Sequence, residues 1–275
     1  MGIKETRIKI LLSLFLLSDT SFSPVNFDER VQKVFDITFN QKTRGILSGL
    51  IKEGLIKIFD IRYSILEKEK EKKPISNIQY PISPDGKNKS NENSYYLTEK
   101  GFYSLCLEFP FFRFLKDSWD GKWRIISYEI PEAKREIRDR LRREMQGWGL
   151  GPWHRSFWLT PHPIIENLRQ LIGGKEEEKY FQAFESEHIF GDRNILIEKV
   201  WGKSNLDKSY RELFKKWHAI LSSQEEKIEK FKKVIDEYIN LLKIDPGLPK
   251  ELLGEKWIGL EGWSIFKEIR GILLS

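Results

Sequence analysis

The sequence predicts an α+β protein in three parts, and three features of its pattern indicate this. In the first 54 residues apolar side chains recur at helical spacing, and β-rich segments follow them. Residues 119–200 alternate between strand-like and helix-like patterns. The last part, 201–275, carries two long apolar stripes at helical spacing. A chain of 275 residues is long enough to hold more than one hydrophobic core.

The composition is that of an ordinary soluble chain, with 40% hydrophobic and 32% charged residues. The formal charge of +6 favours an acidic partner such as nucleic acid or a membrane surface. The single cysteine, Cys106, excludes an internal disulfide and a four-thiolate zinc site. We expect it to be a buried structural thiol, because no histidine lies near it in sequence to activate it. One cysteine fits a reducing, cytoplasmic location.

The N-terminus has two interpretations. Basic residues followed by an apolar run from Ile8 to Leu17 have the outline of a signal peptide, and a secreted protein remains an alternative. The run is too short to span a bilayer, which takes about 20 apolar residues. Two more helical patterns follow, and a three-helix unit needs an apolar first helix to fill its core. We therefore expect a core helix.

The two following patterns predict capped helices. Asn26 or Asp28 can cap a helix that runs to about Ile37, and Asn40 can cap the next, which Gly54 ends. On a helix from Gln41 to Glu53, the helical period groups one apolar face: Thr43, Ile46, Leu47, Leu50 and Ile51. The remaining positions face away or lie on the flanks: Gln41, Lys42, Arg44, Gly45, Ser48 and Lys52.

Two β-rich segments follow, from residue 55 to 66 and from 95 to 101. The lysine-, asparagine- and serine-rich stretch between them, about 67–94, reads as a long wing insert that either contacts phosphates or is merely solvated. Three helices and a two-stranded ribbon outline a winged helix-turn-helix, which can lay its third helix in the DNA major groove. We assign this domain to residues 1–110. Its candidate DNA-binding residues are Gln41, Lys42, Thr43, Arg44, Ser48 and Lys52.

The central part, 119–200, has the order strand, helix, two strands, helix, strand, which is ferredoxin-like. "WRIISYEI" has strand composition, and Pro131 suits the first position of a helix. In that helix one stripe recurs every fourth residue and should be buried: Ala133, Ile137, Leu141 and Met145. A second helix, "PIIENLRQLIG", precedes a last strand, "YFQAFESEHI".

Glu129 at the end of the first central strand is the one candidate for metal chemistry. A metal-dependent phosphodiesterase usually gathers two or more carboxylates, or a carboxylate with histidines, around its ions. Only Glu132 lies near Glu129, and the four histidines show no metal-ligand spacing. A structural use of Glu129 is favoured. We expect no catalytic residue, no metal and no cofactor, and hence a protein that is not an enzyme.

Two other groups in the central part have competing interpretations. Arg135, Arg138 and Arg142 could form a second nucleic-acid surface, but the interleaved acidic residues favour a salt-bridged, solvated face. Tryptophans 148, 153 and 158 could line an effector pocket, although aromatic residues in a small domain more often belong to its core. We take Trp153 and Arg155 as candidate effector-binding residues.

The C-terminal part, 201–275, should be mostly helical. One stripe comprises Tyr210, Leu213, Phe214, Trp217, Ile220 and Leu221. Another comprises Ile228, Phe231, Val234, Ile235, Tyr238, Ile239 and Leu242, and it runs to a break at 245–247. Such helices are ordinary core elements first, and a dimer interface is the alternative.

The order of motifs in 119–161 resembles the central domain of the phenylacetic-acid degradation repressor (PaaX-like) family of transcriptional regulators. The shared features are tryptophan, glycine, strand, "IPE", arginine-rich helix, glycine turn and the "WLTP" motif. This domain is also similar to the small ferredoxin-like integration subunit of CRISPR systems. "FGDRNILIEKVWGKSNLDKSYRELFKKW" and "DPGLPKELLGEKWIGLEGW" resemble the C-terminal region of the PaaX-like family.

The resemblance implies a homodimeric repressor that binds double-stranded operator DNA and is released by a small effector. In the family that effector is an aryl-coenzyme A thioester. The resemblance implies no membrane partner. A metal-dependent nuclease, or a CRISPR-type accessory protein of nucleic-acid integration, is the alternative.

Overall fold

The computed structural model describes residues 2–59, 93–145, 147–154, 156–254 and 256–275. The chain divides into two compact units, Met1–Phe102 and Tyr103–Ser275. The predicted wing insert, about 67–94, lies outside the described residues except for its last two. Within the described residues the chain is α+β, as predicted, with two antiparallel sheets among helices.

The first unit combines helices with a small sheet. Its elements are α1 (Ile3–Ser18), β1 (Val25–Asn26), α2 (Glu29–Phe35), α3 (Gln41–Lys52), β2 (Ile56–Phe59), β3 (Ser94–Leu97) and the start of α4 (Glu99–Glu108). The strands are antiparallel in the order β1-β3-β2. In the register, Val25 and Ile58 both lie opposite Tyr95. The strand β1 was not predicted, because a two-residue strand has no detectable alternation.

α1 is the central core element of the first unit. Its apolar run is at most 5% exposed at Ile10, Leu11, Leu12, Leu14, Phe15 and Leu16. The ring of Phe15 lies 5.3 Å from that of Phe102 on α4. A helix surrounded on all sides needs apolar residues all round, which explains why α1 lacks a polar stripe. The run that resembles a signal peptide therefore forms the core helix that the sequence predicted.

Side-chain caps begin α2 and α3. An oxygen of Asp28 accepts a hydrogen bond from the backbone N–H of Val31 at 2.9 Å, and Asn40 accepts one from Thr43 at 3.0 Å. Asp28 and Asn40 were predicted as caps, whereas Asn26, the alternative, lies in β1. α2 ends at Phe35, two residues before the predicted Ile37, because Asp36 adopts a left-handed conformation that stops the helix.

The segment that follows β3 is helical rather than extended. The sequence predicted β structure through residue 101, but α4 begins at Glu99. The hydroxyl of Thr98 accepts a hydrogen bond from the N–H of Gly101 at 3.1 Å, which is the bond that a helix cap makes. Cys106 on α4 is 6% exposed, and burial raises the pKa of its thiol well above the ordinary value. It is a buried structural thiol, as predicted.

The second unit contains a four-stranded sheet and the C-terminal helices. After the rest of α4, its elements are α5 (Arg113–Lys116), β4 (Trp123–Tyr128), α6 (Arg135–Met145), β5 (Gly151–His154), β6 (Phe157–Thr160), α7 (Ile165–Ile172), β7 (Phe181–Ser186), α8 (Arg193–Trp201), α9 (Lys203–Ser222), α10 (Lys227–Leu242), α11 (Lys250–Leu253) and α12 (Ile258–Leu274). The order β5-β6-β4-β7 is antiparallel throughout. From β4 to β7 the order of strands and helices is the predicted one.

α6 and α7 cover one face of this sheet. Its core contains Ile126, Ile130, Leu141, Met145, Trp148, Ile164, Leu168, Ile172 and Phe181. Within the predicted stripe of α6, Leu141 and Met145 are buried and Ile137 is half-buried. Ala133 is exposed, because residues 132–134 form a 3-10 turn after an extended Pro131. The α-helix begins at Arg135, so Pro131 does not occupy its first position.

α9, α10 and α12 pack together through large aromatic side chains. The apolar stripes of α9 and α10 face each other, and Trp217, Phe231, Tyr238 and Phe266 are at most 1% exposed. The indole N–H of Trp217 donates to the carbonyl of Val234 at 3.1 Å, which satisfies a buried polar atom. The stripes are therefore core elements of one chain, and their buried members are not available as a dimer interface.

Two glycines in the first unit have opposite roles that substitution can test. A Cβ at Gly101 would lie 2.0 Å from the carbonyl oxygen of Leu55, whereas a Cβ at Gly45 would meet nothing within 4 Å. Gly101→Ala should lower the free energy of unfolding by about 1 to 3 kcal/mol through overpacking. Gly45→Ala should raise it by about 0.5 to 1 kcal/mol, because alanine is the better helix former. Urea unfolding of both variants checks this, and equal effects would contradict the packing of α4 on β2.

Candidate functional site

α3 presents a polar face to solvent. Ile46, Leu47 and Leu50 are buried in the first unit. The exposed residues on the other side are Gln41, Lys42, Arg44, Ser48 and Lys52. α3 contains no acidic residue. Within the described part of the chain, neither Arg44 nor Lys52 forms an ion pair, so both charges are open to a partner.

Thr43 differs from the other candidates for DNA contact. Its side chain is 4% exposed, and its hydroxyl donates to the carbonyl of Thr38 at 2.6 Å. The bond ties the start of α3 to the preceding turn. This corrects the inclusion of Thr43 among the DNA-binding residues, because a buried and engaged hydroxyl is not accessible to DNA. The period had already placed it on the apolar face.

The C-terminal end of α3 is fixed to α1. The guanidinium of Arg7 donates to both carboxylate oxygens of Glu53, at 2.9 and 2.6 Å. These hydrogen bonds hold the pKa of Glu53 below its ordinary value. The acidic residue that follows α3 is thereby occupied inside the unit. It does not offset the positive charge of Lys52 as a free carboxylate would.

Glu129 is exposed just after β4, and its backbone N–H donates to the carbonyl of Tyr180 at 3.2 Å. Its sequence neighbour Glu132 pairs with Arg138 at 2.7 Å. Among the described residues, no group of three or more His, Cys, Asp or Glu side chains could hold a metal ion. Within that part of the chain, Glu129 therefore does not belong to a cluster of three or more potential metal ligands.

The arginines of α6 divide into two kinds. Arg135 lies 3.6 Å from Asp139, and Arg138 contacts both Glu132 and Asp139, so these two form the salt-bridged face that the sequence favoured. Arg142, one turn further, forms no ion pair within the described ranges. Its guanidinium carbon lies 6.0 Å from the ring centroid of Trp158. Arg142 is thus an unneutralised cation beside an aromatic face.

A cavity of about 430 Å³ lies beside Trp158 in the second unit. Its chemically distinctive lining residues are Tyr128, Arg142, Trp158, Trp201, Lys243 and Pro246. Trp148, by contrast, is 7% exposed and belongs to the core of the sheet. The lining combines three aromatic rings with two cations and the carboxyl of Asp245, which is a composition suited to a small ligand.

Of the candidate effector residues, the described one, Trp153, does not line this cavity. Trp153 is 40% exposed and is not part of the lining, and Arg155 lies outside the described residues. The register of β5 against β6 shifts between Pro152 and His154, where Trp153 lies. Trp158, which pairs with Ile126, lines the cavity instead. The sequence shows two tryptophans in strand-like segments but not the register, in which Pro152 rather than Trp153 lies opposite Trp158.

A buried loop, Asp245–Pro246–Gly247, forms one wall of the cavity. The hydroxyl of Tyr210 donates to one oxygen of the Asp245 carboxyl at 2.5 Å, and the N–H of Gly247 donates to the other at 2.8 Å. Burial raises the pKa of Asp245 to about 6. Gly247 has a φ of 62°, and a Cβ there would lie 2.3 Å from the backbone nitrogen of Phe111. Only glycine fits this position.

His162 fixes the same loop from the side of the central sheet. Its Nε2 lies 2.8 Å from the carbonyl oxygen of Pro246, and its ring stacks on Phe114 with centroids 5.1 Å apart. Burial lowers the pKa of His162 to about 4. The imidazole is therefore neutral at pH 7 and donates its Nε2 proton to Pro246. Sequence reasoning treated 245–247 as a helix break and as part of the stretch that resembles the PaaX-like family, and it gave no role to His162.

His162 and Asp245 should give the protein opposing pH dependences. Asp245 has its pKa raised from an ordinary 3.8 to about 6, so its stabilisation is full below about pH 4 and lost as the pH rises through 6. His162 has its pKa lowered from 6.5 to about 4, so its stabilisation is full above 6.5 and lost as the pH falls through 4. In the unmodified chain the two effects largely cancel.

Single substitutions should expose each effect. From pH 4 to pH 7, Asp245→Asn should gain about 3 kcal/mol of unfolding free energy relative to the unmodified chain. His162→Gln, which keeps an N–H donor, should lose about as much over the same range. Urea unfolding at several pH values measures both. Variant curves that run parallel to the original would show that neither group titrates as described.

Among the described residues, no helix combines the length and apolar character needed to cross a membrane. No curated protein matches the chain. A solved structure of an uncharacterized protein from Mycobacterium tuberculosis aligns with a TM-score of 0.45 and 15% identity, over 98% of this chain and 100% of that one.

Two family models match the second unit. The model of the PaaX protein central Cas2-like domain matches residues 116–195, and that of the PaaX-like protein C-terminal domain matches residues 201–275. Together they span more than half of the 275 residues. The resemblance drawn from the motifs in 119–161 is therefore confirmed, and the chain belongs to the PaaX-like family.

Proposed function

We propose that the chain is a DNA-binding transcriptional regulator, and more specifically a repressor that leaves its operator when a small effector binds. The observation that carries the proposal is the exposed, acid-free polar face of α3. Membership of the PaaX-like family supports the regulatory role. By the same resemblance the effector is an aryl-coenzyme A thioester.

We propose that the first unit acts as a winged helix-turn-helix domain, within residues 1–110. α2 and α3 are joined by a short turn, and β2 and β3 form the antiparallel ribbon that would serve as the wing. The 12 residues of α3 span about 18 Å, enough to cross a major groove about 12 Å wide. The exposed Gln41 and Arg44 lie near the N-terminal end, which is the end that reaches base edges in such domains.

We propose that the chain forms a homodimer. Each subunit would have a ferredoxin-like domain at 119–200 and a helical domain at 201–275. Dimeric readers of this kind bind two half-sites about one helical turn apart, or a multiple of that spacing. The buried stripes of α9 and α10 are used inside the chain, so the dimer contact would involve other surfaces.

A metal-dependent nuclease or integration accessory is the competing proposal, motivated by the match to a Cas2-like domain. Glu129 would be its metal ligand. The regulator is favoured because Glu132, the nearest acidic residue in sequence, is already paired with Arg138.

Removing a cation from α3 tests the DNA interface. Arg44→Ala should weaken operator binding by about 1 to 3 kcal/mol and relax base preference, because an arginine that contacts a base is lost. Lys52→Ala should weaken binding to all DNA sequences alike. The salt dependence of binding should then correspond to about one phosphate contact fewer. Gel-shift titrations at several salt concentrations measure both effects.

The matched control is Arg211→Ala, which removes an exposed cation of α9 and changes the net charge equally. It should bind operator DNA as the unmodified chain does. If Arg44→Ala and Arg211→Ala have the same small effect, α3 is not the reading helix.

Selection of bound sequences from random double-stranded DNA tests the regulator itself. Two subunits related by two-fold symmetry should enrich a palindrome whose half-sites lie roughly 10 base pairs, or a multiple, apart. Enrichment of an unpaired half-site would contradict the dimer. No enrichment, together with cleavage that Glu129→Gln abolishes, would favour the nuclease.

A further inference from the structure

We propose that Gly45 is a specificity-determining position of α3, where a base edge of the operator DNA lies directly against the helix backbone. The inference rests on the proposed function, because it states how α3 would meet DNA at that point. Its starting observation is a glycine inside a helix that the fold of the chain does not explain. This glycine lies on the exposed face that also carries Arg44 and Lys52.

Gly45 weakens α3 without a reason inside the first unit. Glycine loses more backbone freedom than alanine when a helix forms, so a helix that contains it is less stable. Gly45 is the fifth of the 12 residues of α3, and it therefore caps neither end of the helix. Within the described part of the chain, a Cβ at this position would meet nothing within 4 Å. No internal packing contact requires the side chain to be absent.

Other glycines inside helices have neighbours or lie at a helix end. A Cβ at Gly101 would lie 2.0 Å from a backbone oxygen, and one at Gly262 would lie 3.1 Å from the ring of Tyr210. Gly271 also has open space around it, but it lies in the last turn of α12, where helices fray. The close approach that explains Gly45 must therefore come from a molecule outside the chain.

The exposed face of α3 is lowest in its middle. With about 3.6 residues per turn, Gln41, Gly45, Ser48 and Lys52 follow one another along the solvent side. Long side chains occupy the two ends of this face, whereas its middle carries a hydrogen atom and a short hydroxymethyl group. The side-chain layer of a helix is about 3 Å thick. A partner can therefore come closer to the backbone at Gly45 by about that depth.

The charges around Gly45 favour DNA as the partner. α3 contains no acidic residue, and Arg44 and Lys52 form no ion pair within the residues that the structure describes. A helix of about 10 to 12 Å in diameter nearly fills a major groove of about 12 Å, so the side chains beneath it decide how deeply it enters. A base edge or thymine methyl can then contact the backbone at Gly45, and the hydroxyl of Ser48 can bond to a neighbouring base.

A side chain at position 45 should have opposite effects on the fold and on DNA binding. Alanine or leucine stabilises a helix relative to glycine, and nothing inside the chain obstructs a Cβ at this position. The same atoms would occupy the space that the base edge needs. A loss of DNA binding that accompanies a gain in stability cannot be the result of misfolding.

Gel shifts of the full chain on the operator sequence that is selected from random DNA test the inference. Gly45→Ala should weaken operator binding roughly fivefold and Gly45→Leu roughly twentyfold, because the larger side chain displaces the helix further. Binding to non-specific DNA should stay within about twofold, because it depends on phosphate contacts. Urea unfolding should show that both variants are at least as stable as the unmodified chain.

Gly271→Ala is the matched control, because it adds the same methyl group to an exposed helical glycine of the second unit. It should change operator affinity by less than about twofold. A second selection from random DNA, made with Gly45→Leu, should alter the base preference at the position beneath residue 45 in each half-site. The preference at the other positions should stay the same.

Three results would overturn the inference. They are unchanged operator affinity of Gly45→Leu, equal losses for Gly45→Ala and Gly271→Ala, and losses of Gly45→Leu that are as large on non-specific DNA as on the operator. If Arg44→Ala weakens operator binding while Gly45→Leu does not, α3 remains the reading helix and the close approach at Gly45 alone is refuted. If the unmodified chain selects no sequence, the regulator and the inference fail together.

Discussion

The structure of the second unit depends on the hydrogen bonds that satisfy the buried polar groups of the loop Asp245–Gly247. The carbonyl of Pro246 is removed from water and accepts its hydrogen bond from His162, and the Asp245 carboxyl accepts two more. A buried polar group left without a partner costs about 1 to 3 kcal/mol. The loop also requires glycine at 149, since a Cβ there would lie 2.5 Å from the Pro246 oxygen. The wall of the cavity is thus fixed by a few specific contacts.

Local signals in the sequence were sufficient for the starts of α2 and α3, but not for β1 or for the helix that begins at Glu99. Asn40 caps α3 and Gly54 follows its end because caps and stops are read from a few neighbouring residues. The pairing of His162 with Pro246 joins positions 84 residues apart, and no local pattern contains it. The cavity could not be predicted for a similar reason, because its lining residues come from segments that are far apart in the sequence. Each of these segments has apolar or charged residues that its own helix or strand already explains.

Trp153 does not line the cavity and Thr43 is buried, and the two placements have different geometric reasons. Trp153 and Trp158 both lie in strand-like segments, and a one-residue change of register exchanges the faces that side chains take. Pro152 pairs with Trp158, so Trp153, the next residue of β5, lies toward the other face of the sheet, and Trp158 lines the cavity. Thr43 is the opposite case. The helical period already placed Thr43 on the buried face. Its side chain is 4% exposed, and its hydroxyl donates a hydrogen bond to the carbonyl of Thr38 in the preceding turn.

Among the described residues, cations without an ion pair lie on two surfaces of different shape. On α3, Arg44 and Lys52 lie on a convex helix, where long side chains can follow a polyanion and binding weakens with salt. Beside Trp158, Arg142 lines a concave surface, and its guanidinium carbon is 6.0 Å from the ring centroid. Arg135 and Arg138, by contrast, are paired with acidic residues on α6 and in the 3-10 turn that precedes it. The candidate sites are therefore distinguished by cations that form no ion pair within the described residues. Which cations form ion pairs is decided by the fold rather than by the composition.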